Sequence, residues 1–174
     1  DALISPSHYL VAEIKKHISL QGREPAIIAN PFSTDSTAGS RFKRNKIVYY
    51  GKLSAQKGSF ALLERFAALW DKGFAHPLHM IGGTDIVYHP AMKTMGELVK
   101  EQYGRYISKG LLQLHGKITP AAINAALSDA HVVIVPSIVD NMPYTVMEAM
   151  SLGRIVLVSA LGGQAEMVEN GRSG

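Results

Sequence analysis

From about Lys46 onward the chain alternates between short β-branched runs and longer segments of helical period. The runs "KIVYY", "PLHMIGG", "LLQLHG", "HVVIVPS" and "RIVLVSA" are separated by "SFALLERFAALWDKG", "MKTMGELVKEQYGRYISKG", "PAAINAALSDA" and "YTVMEAMSLG". Apolar residues three and four apart predict helices, and short apolar runs bounded by Gly and Pro predict buried strands. Strands apolar on both faces need cover on both sides. The pattern therefore restricts the chain to an α/β fold, a Rossmann-like three-layer α/β/α arrangement around a mainly parallel sheet with right-handed crossovers. Open sheets of this kind bind ligands beyond the carboxyl ends of their strands. Function is accordingly expected at the turns after Tyr50, Ile81, His115, Val135 and Val158.

Composition narrows the classes. The chain has 174 residues, 47% of them hydrophobic, enough for one ordinary core. A formal charge of +4 suits an anionic ligand but is too mild to require nucleic acid, and no basic helix or aromatic-studded strand accompanies it. Cysteine is absent, which removes disulfides and thiolate metal sites. No apolar segment approaches the roughly 18 residues of a membrane span, and "DALISPSHYL" lacks the basic start of a secretory leader. The expected location is the cytoplasm.

Before Lys46 the pattern changes. "SHYLVAEIKKHISLQG" places Leu10, Val11, Ile14 and Ile18 at helical spacing beside Lys15 and Lys16. A core-packed amphipathic helix is the expectation, a helix lying on a membrane surface the competing one. "AIIANPF" predicts a short strand, and "STDSTAGSRFKRN" a mobile loop.

The turns carry the chemistry. In "YYGKLSAQKGS", Gly51 and Gly58 bracket Lys52 and Lys57, glycines permitting close main-chain approach and ammonium groups suiting a diphosphate. Plain solvated lysines are the alternative, and the order of residues is not that of a GxxxxGK[ST] phosphate loop. "PSIVDNMPYTVMEAMSLG" is more specific. Asn141 is expected to cap a helix with Pro143 in its first turn, leaving the amides of Met142, Tyr144 and Thr145 pointing outward as an anion site. Asp140 at that mouth would repel a bare phosphate, so it should address a sugar hydroxyl or a developing positive charge. Glu148, about one turn on, can accept the vicinal hydroxyls of a ribose, or else simply faces solvent. Gly162 and Gly163 in "SALGGQAEMVENGRSG" again allow main chain to approach a ligand. His76 and His79 lie three apart on an extended segment and should face opposite ways, so no shared metal is expected.

In combination, "GKLSAQKG", "LHGKI" and "VPSIVDNMPYTVMEAMSLGRIVLVSALGGQAEMVENGRSG" resemble the C-terminal, nucleotide-sugar-binding half of GT-B-fold retaining glycosyltransferases of family 4, the glycosyl transferases group 1. The likeness runs from about Ser5 to Gly174. The family marks its donor site with two acids separated by seven residues, a spacing that Asp140 and Glu148 match, although the first acid is commonly Glu. The resemblance implies that Glu148 binds the nucleotide ribose, that Asp140 and the amides of Asn141, Met142, Tyr144 and Thr145 around Pro143 address the sugar and distal phosphate, and that Lys52 and Lys57 hold the diphosphate. Lys52 stands where the family usually has Arg. Ile118 falls where main chain recognises the base, Gly51 belongs to the phosphate turn, and Gly162 and Gly163 border the pocket.

The resemblance further implies transfer of a hexosyl group from a UDP- or GDP-linked sugar with retention of configuration. No cofactor is expected, and metal independence follows from the absence of Asp-x-Asp. Residues 1–30 correspond to the trailing edge of an acceptor-binding N-terminal domain and its crossover, and residues 31–174 to a donor-binding domain incomplete at its end. The acceptor, a glycan or glycolipid, would be held by the absent half, with peripheral membrane contact by the full-length protein. The chain alone should bind donor without turnover. A GT-B-like sugar-nucleotide epimerase and a catalytically silent binding module are the alternatives.

Overall fold

The computed structural model describes residues 2–33 and 45–174. The loop expected over "STDSTAGSRFKRN" lies almost wholly outside the described residues.

Each apolar run forms a strand and each helical segment a helix. In chain order these are β1 (Ile4–Ser5), α1 (His8–Lys15), β2 (Ala26–Ile27), β3 (Ile47–Tyr50), α2 (Ser59–Asp71), β4 (Leu78–Ile81), β5 (Val87–Tyr88), β6 (Lys93–Thr94), α3 (Met95–Ser108), β7 (Leu112–Gly116), α4 (Pro120–Ser128), β8 (Val132–Val135), α5 (Tyr144–Ser151) and β9 (Ile155–Val158). The main sheet has the order β7-β4-β3-β8-β9, every pair parallel. Its first strand in sequence, β3, is central. The chain winds outward to β7, returns across the sheet, and then winds out to β9.

Alternation along the strands divides the core into two layers. Tyr49, Leu78, Met80, Leu112 and Ile134 face α2 and α3, meeting Leu63, Phe66, Trp70, Val99 and Tyr103. Val48, Tyr50, Val133, Val135 and Val156 face α4 and α5, meeting Leu127, Val146, Ala149 and Leu152. This is the expected three-layer arrangement. Registers are level, with Ile47 opposite both Leu78 and Val132, and Val132 opposite Ile155. Four-residue strands that start together end together, so their carboxyl ends share one rim.

Three local features differ from the sequence expectations. Helix α3 begins at Met95, after Thr94, which caps it in a capping box with Glu97. The residues before it form an antiparallel hairpin, Val87 opposite Thr94, which two-residue strands are too short to announce. Helix α1 buries none of its residues. It is held instead by its start, where the Glu166 carboxylate accepts the amides of His8 (3.0 Å) and Tyr9 (2.5 Å) and Ser7 caps Leu10. No helix among the described residues is long and apolar enough to cross a membrane.

Leu63 is fully buried between α2 and the sheet, whereas Leu69 on the same helix is 44% exposed. Leu63→Ala should lower stability by about 2–5 kcal/mol, and Leu69→Ala by no more than about 0.5 kcal/mol. Urea unfolding of both variants checks the layer assignment; equal losses would contradict it.

Candidate donor site at the strand-order reversal

Strand order reverses between β3 and β8, and the turns leaving these two strands face each other there, the place where doubly wound sheets take ligands. The β3–α2 turn is tied internally by Ser59, whose hydroxyl accepts from the Ser54 amide (3.0 Å) and donates to the Ser54 carbonyl (2.9 Å). It is tied to the opposite turn through the Gln56 carbonyl, which accepts the amide of Ile138 (2.8 Å). Gly58 is left-handed, φ +68°, and a Cβ there would lie 2.0 Å from the Pro136 carbonyl oxygen. The glycine thus admits the protein's own main chain, a different use from the ligand approach expected of it.

Across this seam Lys57 Nζ pairs with Asp140 Oδ2 at 2.5 Å. The sequence reading assigned them separate partners; in the structure each is the other's. The pair answers the repulsion expected of an acid at an anion site, because Lys57 neutralises Asp140. The second Asp140 oxygen accepts the Asn141 amide (3.1 Å), and its carbonyl accepts the Gly163 amide (2.8 Å).

The cap of α5 is a correction. Pro143, extended at φ −72° and ψ 125°, occupies the cap position with no side-chain bond, and Asn141 lies outside the helix. Proline supplies no N–H, and the Val146 amide is used by the Pro143 carbonyl (3.1 Å). Among the described residues the amides of Tyr144 and Thr145 therefore have no backbone acceptor at the positive end of the helix. Asn30 steadies the approach, its side-chain amide donating to the Met142 carbonyl at 3.1 Å.

Two adjoining clefts open over these turns. One, of about 360 Å³, is lined by Gly51, Lys52, Lys57, Asp140 and the run Met142, Pro143, Tyr144 and Thr145. The other, of about 330 Å³, lies over the end of β4 between the turns after β4 and β7, and includes Ile118. Tyr50, Gly51, Lys52 and Thr145 line both, making them one groove.

Four expected residues line neither cleft, although one of them, Glu148, lies against Tyr50, which lines both. Asn141 lines neither cleft, and its amide is taken by Asp140. Gly162 and Gly163 brace the corner: a Cβ on Gly163 would lie 1.4 Å from the Asn141 carbonyl oxygen, so the protein's own main chain fills the place of a side chain there. Glu148 is half-buried in α5 and meets the Tyr50 hydroxyl in place of solvent. Burial raises its carboxyl above the ordinary range, while the hydrogen bond donated by Tyr50 opposes the rise. Burial, reinforced by Glu148, keeps the Tyr50 phenol protonated. Tyr50 was not anticipated as a site residue. The signal available was its place, the last residue of a strand beside the turn.

His79 also finds an unforeseen partner. Its ring stacks on His115 from the neighbouring strand, Nδ1 to Nε2 at 3.1 Å. Among the described residues no three His, Asp or Glu side chains converge as metal ligands would.

The chain belongs to the glycosyl transferases group 1, whose family model matches residues 44–174. Its fold is one half of a GT-B glycosyltransferase, shared with solved structures of low sequence identity. TarM of S. aureus, in complex with UDP among other ligands, superposes with a TM-score of 0.74 at 17% identity, covering 99% of this chain and 33% of that one. Sucrose-phosphate synthase from Thermosynechococcus elongatus gives 0.71 at 22% identity, covering 97% and 43%. The pneumococcal O-GlcNAc transferase GtfA, in complex with UDP and GlcNAc, gives 0.71 at 18% identity, covering 99% and 33%. The chain thus spans a third to under a half of these proteins. A search of the curated proteins finds no match.

The raised Glu148 carboxyl has a definite consequence. The folded chain holds that proton more tightly than the unfolded chain, so the stabilisation is full below the ordinary glutamate range and is lost as pH rises through the elevated value. Glu148→Gln, which carries no charge, should gain stability relative to wild type as pH rises above the ordinary glutamate value of about 4.3. Urea midpoints across that rise measure the gap, and a gap constant with pH contradicts the assignment.

Proposed function

We propose that this chain is the donor-binding half of a retaining glycosyltransferase, moving a hexosyl group from a nucleoside diphosphate sugar to an acceptor. What supports this reading most is the shared groove. Lys52, Lys57, Asp140 and the helix-start residues Tyr144 and Thr145, from turns distant in sequence, line one cleft at the strand-order reversal.

Glycosyl transfer breaks the bond between the anomeric carbon and the diphosphate oxygen. Negative charge grows on the departing diphosphate and positive charge on the sugar ring, and preorganised groups of opposite sign lower the barrier. In this reading the ammonium groups of Lys52 and Lys57, with the amides of Tyr144 and Thr145, take the diphosphate. Lys57 is then shared between phosphate and Asp140, and the Asp140 carboxylate, so held, faces the sugar. Lys52 binds as a point charge, without the two-pronged grip of a guanidinium. Glu148, oriented by Tyr50, is the ribose acceptor, and Ile118 lies at the base.

Retention of configuration is part of the same reading, with the leaving phosphate oxygen accepting the proton of the acceptor hydroxyl as the new glycosidic bond forms on the same face. Cationic side chains and amides then perform the charge stabilisation for which other transferases use a metal, and the sequence contains no Asp-x-Asp.

Isothermal titration with a panel of UDP- and GDP-sugars should give saturable heat with the wild-type chain, and Lys57→Ala and Glu148→Ala should each weaken binding at least tenfold. A folded sample silent towards every sugar nucleotide, or variants that bind as wild type, would place the site elsewhere.

A further inference from the structure

The cleft over the end of β4 has a composition the diphosphate does not explain. Ile86, at the root of the β5–β6 hairpin, and Ile118, after β7, bring branched apolar side chains to it from two separate turns. Beside each stands a charged residue lining the same cleft, Asp85 next to Ile86 and Lys117 next to Ile118. Among the described residues neither Asp85 nor Lys117 has an ion pair or a side-chain hydrogen bond, although their charges are opposite. The Asp85 carboxylate folds back over the turn. One oxygen lies 2.9 Å from where a Cβ on Gly83 would stand, close enough that the missing side chain is what gives it room.

We infer that this cleft selects guanine, and hence that the donor is a GDP-linked sugar, an inference resting on the donor-site reading above. Apolar groups from two turns suit the faces of a flat ring, and the few polar groups fix its orientation. A carboxylate accepts best from two adjacent N–H groups. Guanine offers them at N1 and N2, and its O6 and N7 form an adjacent acceptor pair for an ammonium. Uracil offers one N–H flanked by two carbonyl oxygens, which a carboxylate repels. Adenine offers an amino group beside a ring acceptor and no carbonyl for Lys117. Guanine alone satisfies both charges.

The test is equilibrium titration of the intact protein with GDP, UDP and ADP as probes, in wild type, Asp85→Asn and Lys117→Met. GDP should bind at least tenfold tighter than UDP or ADP. D85N should remove most of that preference by weakening GDP at least tenfold while leaving UDP within about twofold, and K117M should weaken GDP several-fold. Both side chains are exposed and outside the two core layers, so the variants should unfold as wild type does. UDP or ADP binding as tightly as GDP overturns the guanine assignment and leaves the donor site standing. An undiminished GDP preference in D85N overturns the role of Asp85. If no diphosphate binds to folded protein, the donor-site reading falls, and this inference with it.

Discussion

The abutment of two strand-to-helix turns at the reversal of strand order is the constraint on which the rest of this structure depends. The β3–α2 and β8–α5 turns meet main chain to main chain: Gln56 accepts from Ile138, and Gly58 lies against the Pro136 carbonyl. Only a residue without a Cβ, in the left-handed region, fits there. The close seam brings Lys57 to Asp140, and behind it Gly163 holds the Asp140–Asn141 corner by an amide hydrogen bond. The cleft lined by Lys52, Lys57 and Asp140 forms because the turns are held this way, not because any one of them has a phosphate-binding sequence.

The charge arrangement follows. An acid at the start of a helix favours the dipole but opposes an incoming phosphate. Pairing Asp140 with Lys57 holds both charges in place within a partly buried cleft, so the acid there is balanced by a cation. Lys52 on the other side has no side-chain partner among the described residues, which leaves its full charge for a ligand. Glu148 is kept apart from this cluster. Its partner is a neutral phenol at the end of β3, so its carboxylate is oriented without a nearby cation to fix it.

The leading segment is joined to the same corner. Asn30 binds Met142, and Glu166, just beyond the Gly162–Gly163 turn, holds the start of α1. Helix α1 therefore reports on the position of the turn that braces Asp140. Glu166 was visible in sequence only as an acid after a glycine pair; that it would receive two amides from residues nearly the whole chain away could not be read from its neighbours.

How much was legible depends on the range of the interaction. Strand and helix identity follow from local periodicity and burial on both faces, and so the layered parallel architecture and the common rim of strand ends were readable from residues 46–158. Lys52, Lys57, Asp140, Tyr144 and Thr145 were expected together from the turns that carry them, and they do line one cleft, because parallel strands of equal length end on one side of the sheet. The hairpin between β4 and α3 was missed because two-residue strands carry no period. Asn141 was misplaced as the cap because Pro143, without an N–H and with φ fixed, starts the helix two residues later. The Lys57–Asp140 pair, the Tyr50–Glu148 bond and the use of Gly58 and Gly163 for internal contact were decided by tertiary structure alone. They join residues from about twenty to nearly a hundred positions apart, and local pattern encodes what each residue prefers but not which neighbour the chain will bring to it.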